Sequence, residues 1–116
     1  MMVDEAKPRV TEITIDKLRE RLAENPNAML VDVREDGEWE KGRARHAVHL
    51  GKGVLERDIE GTIPNKEAEV IMYCGGGYRS ILTCDAAQKM GYTNVRSLIG
   101  GYKGLVEEDW EMVGSS

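Results

Sequence analysis

"VIMYCGGGYRS", Val70 to Ser80, carries a hydrophobic run straight into a cysteine, three glycines, an arginine and a serine. With Glu69 before it, "EVIMY" reads as a strand buried on both faces, and Ser80 to Met90 as a helix closed by Gly91. A strand that turns through glycines into a helix places Cys74 at the carboxyl end of that strand. In parallel sheets this is the edge where ligands collect.

The flanking sequence repeats the alternation. A short β-prone piece at Val10 to Ile13 leads to Thr14, which caps a helix through Ala23 with Asp16 in its first turn and Ile13 and Leu18 as a hydrophobic staple. Asn25-Pro26-Asn27 ends it. "AMLVDV" (Ala28 to Val33) reads as a second strand buried on both faces, "EDGEWEKG" (Glu35 to Gly42) as a short acidic helix, and "AVHL" (Ala47 to Leu50) as a brief strand. Gly51 to Glu67 is polar with weak periodicity and reads as loop with one helical turn near Leu55. "NVRSL" (Asn94 to Leu98) is another strand, and "YKGLVEEDW" (Tyr102 to Trp110) a terminal helix after Gly100-Gly101. Strands alternating with helices imply an α/β fold, a parallel sheet covered by helices on both faces. No internal repeat or linker divides the chain, so residues 1–116 are expected to form a single domain with its core at about 10–110.

At 116 residues and 41% hydrophobic content with no Phe, the core must be largely aliphatic. A net charge of −5 with the basic residues scattered among acids opposes nucleic-acid binding. No apolar run in the first part of the chain has signal-peptide or membrane-spanning length, so the expected location is the cytoplasm, with no membrane partner. Cys74 and Cys84 are too few for a disulfide framework or a four-cysteine zinc site, and both are expected as free thiols.

Gly75, Gly76 and Gly77 lack the Cβ atoms that would keep the backbone from curling, so successive N–H groups can converge on one anion. The Cys74 sulfur is the natural occupant. The helix N-terminus and Arg79 should draw its pKa from about 8.5 to roughly 5–7, giving thiolate at neutral pH. Ser80 stands at the expected N-cap, where it can close the helix and hydrogen-bond the thiolate. The plainer reading makes Cys74 a small buried residue and the glycines a tight turn. Against it, a cation at a helix N-terminus is electrostatically disfavoured and calls for a reason. Tyr78 either shades the pocket entrance or faces solvent.

"CGGGYRS" resembles the active-site loop of rhodanese-like domains, sulfurtransferases that pass sulfane sulfur through a cysteine persulfide. "MLVDVREDGEWEKG" resembles that family's first buried strand, Asp-x-Arg and short helix, "HAVHL" the small strand after it, and "MGYTNVRSLIGGYKGL" its closing stretch. The match runs from about Ile13 to Trp110. It implies a five-stranded parallel sheet, a catalytic Cys74, and a loop of Gly75, Gly76, Gly77, Tyr78, Arg79 and Ser80 that binds the substrate through backbone amides. It also implies ping-pong transfer from thiosulfate or a persulfide to a thiol or cyanide, with no metal or organic cofactor. A sulfur-relay protein is a further partner of that chemistry. Arg79 is then placed to attract an anionic donor and hold the loop.

Departures from the family pattern are local. Where Gly-His-Ile-Pro-Gly-Ala is usual the chain reads "GRARHA" (Gly42 to Ala47), with Arg43 and Arg45 at the histidine and proline positions and His46 at the second glycine. Tyr102 and Leu105 stand where tryptophans are common. Asp32 and Arg34 fall at the same sheet edge as Cys74, where they could line or brace the mouth, and an ion pair that holds the loop is the simpler role. Glu38 reads as a surface charge, Trp39 as a packing aromatic, His46 and His49 as surface histidines, and Cys84 as a small half-buried helix residue with a resolving thiol as the alternative. Two other functions fit the same architecture. A cysteine phosphatase or arsenate reductase of this fold has five residues between Cys and Arg and a histidine before the Cys, whereas here four residues intervene and Tyr73 precedes. A non-catalytic persulfide carrier or partner-binding module is the other.

Overall fold

The computed structural model describes residues 9–51, 54–76 and 79–114. Its central sheet has the order β1 (Thr11–Ile13), β6 (Val95–Leu98), β5 (Val70–Tyr73), β2 (Met29–Asp32) and β4 (Val48–His49), and every pairing is parallel. Among the described residues five helices accompany it: α1 (Ile15–Glu24), α2 (Asp36–Lys41), α3 (Leu55–Thr62), α4 (Arg79–Lys89) and α5 (Gly101–Glu107). β4 and β5, the next strands of this sheet after β2, flank it on opposite sides. The connection therefore reverses direction between β2 and β5, and the crevice at their carboxyl ends is the binding position of such sheets.

Period-two alternation sends successive side chains of the central strands to opposite faces. Val70 and Met72 pack with Val31, Val33, Ile59, Ile81 and Cys84 under α3 and α4. Ile71 and Tyr73 pack with Leu30, Leu18 and Leu105 under α1 and α5. Both faces are covered, which is why "AMLVDV" and "EVIMY" show apolar runs instead of alternation. Thr14 caps α1 as expected, accepting from the Lys17 N–H at 3.2 Å. Among the described residues no helix is long and apolar enough to cross a membrane.

Three stretches differ from the sequence reading. The supposed loop at Gly51 to Glu67 contains α3, a helix of 8 residues that buries Leu55 and Ile59, with Ile63 buried at its C-cap. These three apolar residues recur every fourth position, enough for a narrow stripe, but Gly61 and the surrounding acids weaken any single-sequence signal. The terminal helix begins at Gly101 and stops at Glu107, earlier than Trp110, because Asp109 turns left-handed at φ 56°. The chain then returns as β7 (Met112–Val113), which pairs antiparallel with β3 (Arg43–Ala44).

That ribbon organises the atypical Gly42 to Ala47 turn. The Arg45 N–H donates to the Glu111 carbonyl at 2.9 Å, and the Arg45 guanidinium pairs with the Glu111 carboxylate at 2.9 Å. His46, at the position of the usual glycine, adopts φ 67°. Histidine enters this region more readily than β-branched residues, so the turn survives the substitution.

At the opposite edge of the sheet Glu69 is buried and receives four donors. Arg21 binds it through Nε at 2.7 Å and Nη2 at 2.9 Å, Asn25 Nδ2 at 3.0 Å and Arg96 Nη1 at 3.0 Å. Hydrogen bonding from Arg21, followed by Asn25 and the two positive charges, lowers its pKa to about 2 against the opposing effect of burial. A carboxylate depressed in the folded state stabilises above its unfolded pKa, and that contribution fades as pH falls from about 4.5 towards about 2. Glu69→Gln is therefore expected to lose about 3 kcal/mol at neutral pH, measured by urea unfolding, with the deficit shrinking in acid. A deficit equal at pH 7 and in strong acid would show that the charge carries none of it.

Candidate active site

β5 delivers Cys74 to the crevice, where its side chain is buried at 1% exposure. Gly75 and Gly76 follow, Gly77 and Tyr78 lie outside the described residues, and α4 begins at Arg79. Ser80 is thus the second residue of α4 and not its N-cap. Its hydroxyl sits 3.7 Å from the Cys74 sulfur and 2.7 Å from the hydroxyl of Ser97 on β6, and both serines are buried.

The loop is held from below by α5. The Tyr102 N–H donates to the Cys74 carbonyl at 2.6 Å and the Lys103 N–H to the Gly75 carbonyl at 3.1 Å. These donors exist because the first turn of a helix has no internal acceptors for its N–H groups. Close approach requires Gly101, which has φ 55° and whose missing Cβ would stand 2.3 Å from the Cys74 carbonyl oxygen. The double glycine is therefore the contact surface between the closing helix and the cysteine loop.

Glu38 is a surface charge as expected, but it is not solitary. It receives Arg79 in a forked pair, Nη1 to Oε1 at 3.0 Å and Nη2 to Oε2 at 3.3 Å. Glu38 also closes a capping box with Glu35 at the start of α2, its Oε1 accepting the Glu35 N–H at 3.2 Å. The hydrogen bond to Arg79 lowers the Glu38 pKa, and the same bond raises that of Arg79, with the Cys74 sulfur and Glu35 adding to the pull. Glu38 lies at the third position of α2, a signal for capping, but nothing local pairs it with a residue 41 positions away.

Asp32 and Arg34 form the expected pair, fully buried, with Arg34 Nε within 3.1 Å of both carboxylate oxygens and Nη2 at 2.8 Å. Arg34 also donates to the Gly42 carbonyl and lies over the Tyr102 ring at 3.9 Å. Asp32 is in register with Tyr73, the residue before Cys74. The pair braces β2, the Gly42 turn and α5 against one another. Tyr73 adds to the brace, its hydroxyl accepting from the Ala44 N–H at 3.1 Å.

His49 is half-buried and not the surface histidine expected: it stacks on Trp39 with ring centroids 4.7 Å apart, and its Nε2 meets the Arg34 carbonyl at 2.8 Å. Trp39 is a packing aromatic, with the Arg43 guanidinium over its ring at 4.6 Å. His46 is exposed. Cys84 is wholly buried in the face under α4, more deeply than expected, and burial pushes its thiol up, with the Cys74 charge adding to the effect. Neither cysteine is in a disulfide.

Comparison with known proteins places this geometry. The family model of the rhodanese-like domain matches residues 14–108. A sulfurtransferase of Allochromatium vinosum is 34% identical over 92 residues, covering 79% of this chain and 84% of that one. The polysulfide-sulfur transferase homodimer of Wolinella succinogenes superposes with a TM-score of 0.84 at 24% identity, over 99% of this chain and 86% of that one. A Rhodopseudomonas palustris protein of unknown function, described as a possible tyrosine phosphatase, gives 0.86 at 25% identity over 97% and 91%. The strand order, the cysteine at the carboxyl end of β5 and the match over residues 14–108 together make the chain a member of the rhodanese-like domain family.

Proposed function

We propose that the protein is a sulfurtransferase in which Cys74 carries sulfane sulfur as a persulfide. The observation that supports this most is the orientation of two peptide units. In a trans peptide the carbonyl and the N–H point in opposite directions. With the carbonyls of Cys74 and Gly75 tied to α5, the N–H groups of Gly75 and Gly76 are turned away from it, as an anion-binding loop requires. The start of α4 and the nearby Arg79 favour a thiolate at the same place, against the opposing effect of the sulfur's burial.

The chemistry takes two displacements. The Cys74 thiolate attacks the outer sulfur of thiosulfate or of a persulfide, the donor's S–S bond breaks, and sulfite or a thiolate leaves with the electron pair. Cys74 now bears a persulfide anion, which the loop N–H groups stabilise. A thiol or cyanide acceptor attacks its terminal sulfur, the Cys74 S–S bond breaks, and the thiolate is regenerated. The forked bond to Glu38 keeps Arg79 at the loop and balances its charge, so Arg79 serves first to hold the helix start and secondarily to attract an anion.

Brief exposure to thiosulfate or a small persulfide should add the mass of one sulfur atom, mapped to the Cys74 peptide, and cyanide should remove it. No addition from either donor, or addition at Cys84, would sink the proposal. The possible phosphatase among the structural relatives favours a second reading, phosphate ester hydrolysis. Four residues between Cys74 and Arg79 make a ring that holds a sulfur atom and crowds a tetrahedral phosphate, so the same protein should not hydrolyse an aryl phosphate above background.

A further inference from the structure

We propose that Ser97 is a positioning residue for the Cys74 thiolate, acting through Ser80. This rests on the reading of Cys74 as the reactive thiol. Ser97 is the third residue of β6, in register with Met72, and its side chain is buried at 1% exposure. Burying a hydroxyl in such surroundings is unfavourable unless it is hydrogen-bonded. Its contact is the 2.7 Å approach to Ser80 Oγ, which is itself 3.7 Å from the Cys74 sulfur.

Each hydroxyl has one proton, and this determines what the chain of three groups can do. While Cys74 is a thiol, its S–H can donate to Ser80, and Ser80 to Ser97. Once Cys74 is ionised, Ser80 must turn its proton to the sulfur, and the short contact to Ser97 then requires the Ser97 proton. Ionisation reverses both bonds. Donation from Ser97 polarises the Ser80 hydroxyl and strengthens its bond to the anion, the cooperative effect expected of linked hydrogen bonds in a buried site. Without it Ser80 still reaches the thiolate, but as a weaker donor.

Other charges around the sulfur stay as they are when the Ser97 hydroxyl is removed. From α4 the charge is Arg79, with the buried Cys84 thiol neutral beside it, and from α2 Glu38 and Glu35 act on Arg79. The Asp32–Arg34 pair at the end of β2 is closed on itself, Tyr73 on β5 is in register with it, and Tyr102 and Lys103 of α5 meet the loop through backbone amides. Arg96, beside Ser97 on β6, is engaged with Glu69.

The test is the pH profile of Cys74 alkylation by iodoacetamide, a neutral reagent, followed by peptide mapping. Ser97→Ala should slow alkylation about 3- to 10-fold on the acid side of the titration and leave the high-pH plateau unchanged, a change the size of one hydrogen bond. In a Ser80→Ala background the same substitution should have no further effect, since the route runs through Ser80. An unchanged profile, a lowered plateau, or a Ser97 effect that persists without Ser80 would each overturn the assignment. Alkylation does not depend on sulfur transfer, so a protein that shows the shift yet transfers no sulfur would refute the proposed activity and leave the role of Ser97 standing.

Discussion

Cys74→Ser should lose sulfur transfer by on the order of 10³-fold or more while its unfolding transition moves little. The serine hydroxyl does not ionise at working pH, and oxygen cannot form the persulfide on which both displacements depend. Volume hardly changes in the face that Cys74 shares with Met72, Ile81 and Cys84, so the packing cost is small. Thiocyanate formation from thiosulfate and cyanide, measured beside thermal unfolding, checks both halves. Turnover retained in a folded Cys74→Ser protein would end the proposed mechanism, and transfer lost together with the fold would leave it without support from this variant.

Gly101→Ala is expected to be the most damaging change outside the loop itself. The new Cβ would stand 2.3 Å from the Cys74 carbonyl oxygen, 2.9 Å from that of Gly75 and 3.0 Å from the Gly75 carbonyl carbon, all backbone atoms, at a residue with φ 55°. Left-handed backbone alone costs about 1–2 kcal/mol for a non-glycine residue, and relieving the overlap means moving α5 or the loop, for about 3 kcal/mol or more in all. Either movement lengthens the Tyr102 and Lys103 bonds that orient the loop amides, and sulfur transfer should fall on the order of 10²-fold. Gly100→Ala is the matched control: φ is 86°, but the nearest atom to its new Cβ is the Gly104 Cα at 3.5 Å. That variant should lose about 1 kcal/mol and most of its activity should remain. Equal losses in the two would show that backbone strain, and not the approach to the loop, sets the effect.

Reading order along the chain was sufficient for the architecture because the signals are local. The Thr14 cap, the Asn25-Pro26-Asn27 stop, the two apolar runs and the glycine at 91 are each interpretable within a few neighbours, and the alternation they produce admits few sheets. The helix over Leu55 to Thr62 escaped because its apolar stripe is narrow, Leu55 and Ile59 with Ile63 at the C-cap, and its other positions are polar or charged residues and a glycine. The β3 and β7 ribbon escaped because two-residue strands have no periodicity to read.

The site divides in the same way. Cys74 and its glycines are legible in one stretch of chain, since a strand end, a nest and a helix start need no distant partner to be recognised. Glu38, Gly101 and Ser97 acquire their roles only when α2, α5 and β6 are brought to the carboxyl ends of β2 and β5. An ion pair across 41 residues, a carbonyl that admits no Cβ, and a serine that reaches another serine 17 residues away are properties of distance in space. Local composition determines which backbone conformations are cheap; contacts between elements exist only after the hydrophobic faces of the sheet have been covered, and that packing is what brings these three residues to the Cys74 loop.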